Sequence, residues 1–315
     1  VADRSREIAW LRGEISGPTL IVTTVIHGNE TAGIRAAERV LEKLRAQRTP
    51  IAGDLLVLGG NLSAMAAGKR YHVKDLNRQW TDEKVAALRA RDPALDDEED
   101  REQRALLAHL DRAIAYARGP VYAVDLHTTS ASGYAFGIHE RGDAEIERFA
   151  SRIPLPMISG LAAALAGVLT SWLVSRGVAA IAVEGGQHDA ESTVDHLEAA
   201  LWCALASAGV CVHAEELARA TKWLEDARGA IPRAMQVVAR YAIHPGDEFH
   251  MAPGFANIAH VKKDQLLARD GATIIRAPTD GLVILPLYQK HGDDGFFFGR
   301  ELKERARRSV RPPRR

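Results

Sequence analysis

Four short apolar runs, separated by helix-like stretches and each handing over to a polar residue, constrain this chain more than any other feature. Thr19–Ile26 (TLIVTTVI) reads as a buried strand ending at His27-Gly28-Asn29-Glu30. Asp54–Leu58 is closed by Gly59-Gly60-Asn61, Val121–Leu126 ends at His127, and Ala179–Val183 ends at Glu184-Gly185-Gly186. After the first run, Thr31–Arg45 places Ile34, Ala37, Val40, Leu41 and Leu44 at helical spacing. Strands alternating with helices predict an α/β domain with a largely parallel or mixed sheet. Ligands and reactive groups gather outside the carboxyl ends of such strands. His27, Asn61, His127 and Glu184 each follow a strand and are expected at that rim.

The chain has 315 residues, enough for one large domain or two unequal ones. Around Pro232 the texture changes to short strands punctuated by Pro245-Gly246-Asp247, Asp270-Gly271 and Asp280-Gly281, which predicts a small all-β appendage. The expected division is an α/β domain over 1–228, a β-domain over 229–303 and a flexible basic tail over 304–315. Gly292-Asp293-Asp294-Gly295 followed by Phe296–Phe298 either closes the β-domain or shapes a pocket. The charged segment Asp92–Arg104 reads as the solvated start of a helix.

Formal net charge is zero, from 41 basic and 41 acidic residues, which argues against nucleic acid or a membrane surface as the partner. Cys203 and Cys211 read as reduced core residues. The charged N-terminus lacks the apolar segment of a signal peptide, and Ile158–Val174 is too short and interrupted to span a membrane. These features predict a cytoplasmic protein, and a homo-oligomer is compatible with them.

His27 and Glu30, three residues apart where a strand gives way to a helix, can converge on one cation. His127 at a second strand end supplies a third ligand, which is the number a catalytic zinc site needs beside its open position. Asp125 is placed to orient an imidazole from behind. Taken singly, each histidine reads equally well as a satisfied polar residue at a sheet edge; together with Glu30 they point to zinc. His139 and His188 are weaker supporting candidates. Glu184, emerging into Gly185-Gly186, is the candidate proton carrier for a hydrolytic step. Arg70 and Arg78 are the candidate groups for a developing oxyanion or a substrate carboxylate.

HGNE at 27–30, Asn61-x-x-Ala64, Arg70-Tyr71, DLNR at 75–78, DLH at 125–127 and the Glu184 strand occur in that order. Together they resemble the aspartoacylase/succinylglutamate desuccinylase family, a branch of the zinc carboxypeptidase fold. The resemblance implies a three-layer α/β/α domain with a mixed sheet, followed by a small C-terminal all-β domain. It implies one zinc per chain on His27, Glu30 and His127, with Glu184 as general base and Arg70 polarising the scissile carbonyl. Asn77 and Arg78 would grip a carboxylate of a small-molecule substrate, and Tyr288 would reach the site from the β-domain. The chain departs from aspartoacylase in one respect. There a further arginine before the catalytic glutamate reads a second substrate carboxylate; here Arg176 is the only arginine in that stretch and sits too close to Glu184.

The expected function is zinc-dependent hydrolysis of the amide bond of an N-acyl amino acid or related small amide. A metallocarboxypeptidase acting on peptides uses the same zinc and the same Arg78. A catalytically idle binding module would keep the fold alone.

Overall fold

The apolar runs form the centre of an 11-stranded mixed sheet in the computed structural model, which describes residues 5–289 and 292–302. The basic tail expected at 304–315 lies outside the described residues. The strands are β1 (Glu7–Arg12), β2 (Ile15–Thr24), β3 (Ala52–Gly59), β4 (Val121–Thr129), β5 (Phe136–Ile138), β6 (Met157–Ser159) and β7 (Ala179–Gln187). They continue with β8 (Ala234–Ala242), β9 (Phe249–Met251), β10 (Ala259–Val261), β11 (Leu266–Asp270), β12 (Thr273–Arg276), β13 (Gly281–Ile284) and β14 (Asp294–Glu301). The sheet order is β1-β3-β2-β4-β7-β5-β6-β8-β14-β13-β10. Strands β3, β2, β4 and β7 run parallel at its centre, where both faces are covered.

The helices are α1 (Ala32–Ala46), α2 (Leu62–Ala66), α3 (Asp82–Ala90), α4 (Glu98–Ala115), α5 (Ala144–Ser151), α6 (Leu161–Ala164), α7 (Leu169–Val174), α8 (Glu191–Ala208) and α9 (Ala214–Arg228). Alternation along the strands decides which helices cover which face. Leu20, Val22, Leu55 and Val57 pack with α1, α5 and α8. Ile21, Leu56 and Leu58 point the other way, onto α3, α4 and α7. The result is the expected α/β/α layering, and a C-terminal antiparallel strand region follows it.

That region does two things. Strands β8, β14, β13 and β10 extend the main sheet antiparallel to one another, while β12-β11-β9 form a separate antiparallel sheet. Along β14 the three phenylalanines alternate. Phe296 and Phe298 pack with Val261, Leu267 and Val283, whereas Phe297 packs with Met235, Leu282 and Ile284.

Two expectations change. His127 and Glu184 do not follow their strands but lie inside β4 and β7, directly paired across them. Strand β2 stops at Thr24, and Val25 takes φ of 47°, a conformation that costs a β-branched residue about 1–3 kcal/mol. This turn lifts His27 out of the sheet line. The acidic segment is also not a solvated helix start. Asp96, Glu99, Asp100 and Glu102 are buried and bound by cations and backbone N–H groups. Cys203 and Cys211 are free and buried, as expected. Among the described residues no helix is long and apolar enough to cross a membrane.

Hydrogen bonds from Arg104 and Arg91 hold the Asp96 carboxyl at about 2, below its ordinary 3.8. Its stabilisation is therefore present above pH ~4 and lost as pH falls through ~2. Thermal unfolding midpoints measured from pH 6 to 2 should drop over that window, and Asp96→Asn should flatten part of the drop. An unchanged slope in the variant would remove Asp96 from the account.

Candidate active site

Four segments bring the candidate ligands together. The turn after β2 presents His27, the stretch ahead of the α1 N-cap Thr31 presents Glu30, β4 carries His127, and the segment 69–78 wraps over them. Gly28 makes this possible, because a Cβ there would lie 2.3 Å from the Met65 backbone nitrogen. Its N–H donates to the Arg70 carbonyl at 3.0 Å. Donor atoms of His27, Glu30 and His127 all lie within 4.8 Å of one another, and all three residues are buried.

The Glu30 carboxylate faces both imidazoles. Oε1 lies 2.8 Å from His27 Nδ1, and Oε2 lies 3.1 Å from His127 Nδ1. The far nitrogen of His127, Nε2, is 2.7 Å from Asp125 Oδ2, whose other oxygen accepts from the Thr23 hydroxyl at 2.6 Å. A neutral imidazole has one N–H. With that proton given to Asp125, the Nδ1 lone pair faces an anionic oxygen, and positive charge, as a second ring proton or a metal ion, satisfies both. Two imidazole nitrogens and a carboxylate oxygen are a donor set that zinc accepts. The residues therefore fit the metal that the sequence pattern implies.

Charge in this cluster follows from the same geometry. Burial raises the Glu30 carboxyl, but His27 and His127 outweigh it and hold Glu30 well below the usual carboxylate range. Burial opposes charge on His127, yet Asp125 and Glu30 raise it well above the ordinary imidazole value. Burial pushes Glu184 up to about 8, with His127 opposing and Glu30 reinforcing. Glu184 Oε2 is buried without a hydrogen-bond partner among the described residues.

These groups open into a cavity of about 370 Å³. Arg70, Asn77, Arg78 and Glu184 all line it, together with His27, Glu30 and His127. Arg70 is folded back on the cluster, with Nη1 3.1 Å from Glu30 Oε1 and Nη2 3.1 Å from Asp75 Oδ2. Arg78 Nη2 donates to Asp294 Oδ2 at 2.7 Å, so β14 reaches into the site. Gly292, Asp293 and Asp294 line the cavity, and Phe297 does too, so the 292–298 segment shapes the pocket as well as packing the C-terminal strands. Tyr288 is not brought to the cavity. Its hydroxyl donates to the Ala252 carbonyl at 2.7 Å and accepts from the Phe255 N–H at 3.0 Å. His139 lines the cavity, while His188 sits beside it, 2.6 Å from the Thr128 hydroxyl.

Glu99, at the start of α4, is the residue that sequence reasoning missed. Its carboxylate accepts from the backbone N–H groups of His72, Val73 and Lys74, and from Asn61 Nδ2 at 3.0 Å. It thereby fixes the loop that carries Arg70 and Arg78. Burial raises its carboxyl, but these donors outweigh burial and lower it. The signal available beforehand was a glutamate in the first turn of an amphipathic helix, which usually marks a solvated terminus.

Comparison with known proteins identifies the family and the fold. The family model described as the succinylglutamate desuccinylase/aspartoacylase catalytic domain matches residues 16–195, more than half of the 315-residue chain. The succinylglutamate desuccinylase of Yersinia enterocolitica is 40% identical over 62 residues, which is 20% of this chain and 19% of that protein. The matched part is thus about a fifth of that relative's length. Two solved structures share the fold over most of the chain. The succinylglutamate desuccinylase of Chromobacterium violaceum aligns with a TM-score of 0.65 at 20% identity, covering 93% of this chain and 88% of that one. A succinylglutamate desuccinylase/aspartoacylase from Rhodobacter sphaeroides aligns with a TM-score of 0.68 at 18% identity, covering 94% and 88%.

The Glu99 clamp is open to direct test. Glu99→Ala leaves three backbone donors unpaired and should cost roughly 2–5 kcal/mol in denaturant unfolding. Tryptic cleavage at Arg70 and Lys74 of the native protein should also accelerate. Stability within 0.5 kcal/mol of the parent, roughly the limit for an ordinary surface change, with no faster cleavage, would show that the clamp does not hold the loop.

Proposed function

The chain belongs to the succinylglutamate desuccinylase/aspartoacylase family, and from that premise we propose that it hydrolyses the amide bond of an N-acyl amino acid or related small amide. His27, Glu30 and His127 would hold the zinc ion. The observation that carries the reading is Glu184: a buried carboxylate with an unpartnered oxygen, lining the same cavity as the three ligands. Bound there, zinc supplies Lewis-acid polarisation and lowers the pKa of a water molecule from 15.7 toward about 7.

The remaining work falls to this chain's own side chains. Glu184 takes a proton from the attacking water and returns it to the leaving nitrogen. A cation at the three ligands favours the carboxylate form of Glu184, against the burial that raises it. His27 Nε2 lies 3.2 Å from Asp75 Oδ1 and 2.8 Å from Arg70 Nη2, and it can serve one of them at a time. With Nδ1 engaged as a ligand, Nε2 carries the proton and gives it to Asp75. An Arg70 N–H is thereby released to polarise the scissile carbonyl and stabilise the oxyanion. Asn77 is held by the Leu169 N–H, which donates to its Oδ1 at 2.9 Å, and presents its amide with Arg78 to the substrate carboxylate.

Glu184→Gln keeps the shape and removes the proton carrier. Metal content should stay at the parental level while turnover of N-acyl amino acids falls by about 10²–10⁴-fold. Parental turnover in that variant would overturn the assignment. Hydrolysis of blocked dipeptides in preference to N-acyl amino acids by the parent would favour a carboxypeptidase instead.

A further inference from the structure

Resting on the deacylase reading, we propose that the preferred substrates are N-acyl derivatives of neutral, apolar amino acids, and that N-acyl dicarboxylic amino acids are rejected. Gly167 packs so closely on residue 78 that a Cβ there would lie 2.5 Å from the Arg78 carbonyl oxygen. Trp80 N–H donates to the Gly167 carbonyl at 3.0 Å, and Leu169 N–H donates to Asn77. The segment 165–171 is therefore the wall next to Asn77 and Arg78. In this proposal an amino acid held there by its α-carboxylate turns its side chain, one carbon away, toward that wall.

The wall offers no charge. Leu165 and Val168 face the cavity, followed by Thr170, Ser171 and Val174 around α7. On the strand face that carries Glu184, Ala180 and Ala182 also line the cavity, and their small side chains leave depth for an aliphatic or aromatic group. Arg176, the arginine between α7 and β7, points away. Its guanidinium stacks 4.0 Å above the Trp172 ring and donates to Asp82 at 2.9 Å.

The guanidinium groups that do line the cavity, Arg70 and Arg78, already hold Glu30, Asp75 and Asp294. One substrate carboxylate can share Arg78 through its remaining N–H groups. A second carboxylate would meet a wall of aliphatic and hydroxyl groups with no cation beyond Arg70 and Arg78, whose partners are already set, among the described residues there, and Asp293 and Asp294 at the edge would repel it.

The test uses the zinc-loaded full chain and two matched readouts. Steady-state rates on N-acetyl-L-leucine and N-acetyl-L-phenylalanine should exceed those on N-acetyl-L-aspartate and N-succinyl-L-glutamate by at least about 100-fold in kcat/KM. Calorimetric titration with the free amino acids should show binding of L-leucine at concentrations where L-aspartate does not bind. Preference for the dicarboxylic substrates would overturn this inference and leave the deacylase reading standing. If no N-acyl amino acid is hydrolysed, the deacylase reading fails. The titration still decides the pocket's preference: tighter binding of L-aspartate overturns the inference, tighter binding of L-leucine supports it.

Discussion

Both oxygens of Glu30 are pressed against imidazole nitrogens, and a buried carboxylate between two lone-pair-bearing rings is stable only with positive charge among them. Everything else in the site is arranged around that requirement. Asp125 and Asp75 face the far nitrogens of the two rings, Thr23 steadies Asp125, and the Thr128 N–H donates to Glu30 at 3.0 Å. The strained Val25 turn and the close approach at Gly28 are the backbone cost of bringing His27 to this point. The strongly apolar sheet beneath, fully buried at Leu20, Ile21, Val22, Leu55 and Leu56, is rigid enough to sustain it.

A second layer of charge supports the first from the far side of the loop 69–78. Glu99 anchors its backbone, Asp100 and Asp97 pair with Lys74, and Glu102 accepts from the Ser63 N–H. The acidic start of α4 thus serves the site indirectly, by giving the loop's donors fixed partners. On the opposite side the C-terminal strands contribute Asp294, which holds Arg78 and is itself held by Arg240. The pocket is consequently built by both halves of the chain, although the three candidate metal ligands come only from the first.

Much of this was legible in the sequence. The continuous apolar runs located the central strands, the helical spacing located α1, and the placement of His27, Glu30 and His127 grouped three residues that the fold brings together. The short motif around 75–78 placed Asn77 and Arg78 on the cavity wall. The rest was not legible, for separate physical reasons. Glu99 in a charge run looks solvated, because the N–H groups that bury it come from residues folded back across α2. Asp294 is 216 residues from Arg78 in sequence, and no local pattern encodes that pairing. Strand ends were misplaced at His127 and Glu184 because a polar residue facing a cavity interrupts hydrophobicity without ending a strand. Tyr288 was drawn in by resemblance alone, and its hydroxyl is spent on Ala252 and Phe255.

The central claim is that two imidazoles and one carboxylate of this chain hold a zinc ion. Zinc-edge X-ray absorption of the zinc-loaded protein reads that shell directly. The account predicts first-shell nitrogen and oxygen scatterers at about 2.0–2.2 Å, with the outer-shell signature of two imidazoles. Sulfur in the first shell, or the absence of an imidazole signature, would contradict it.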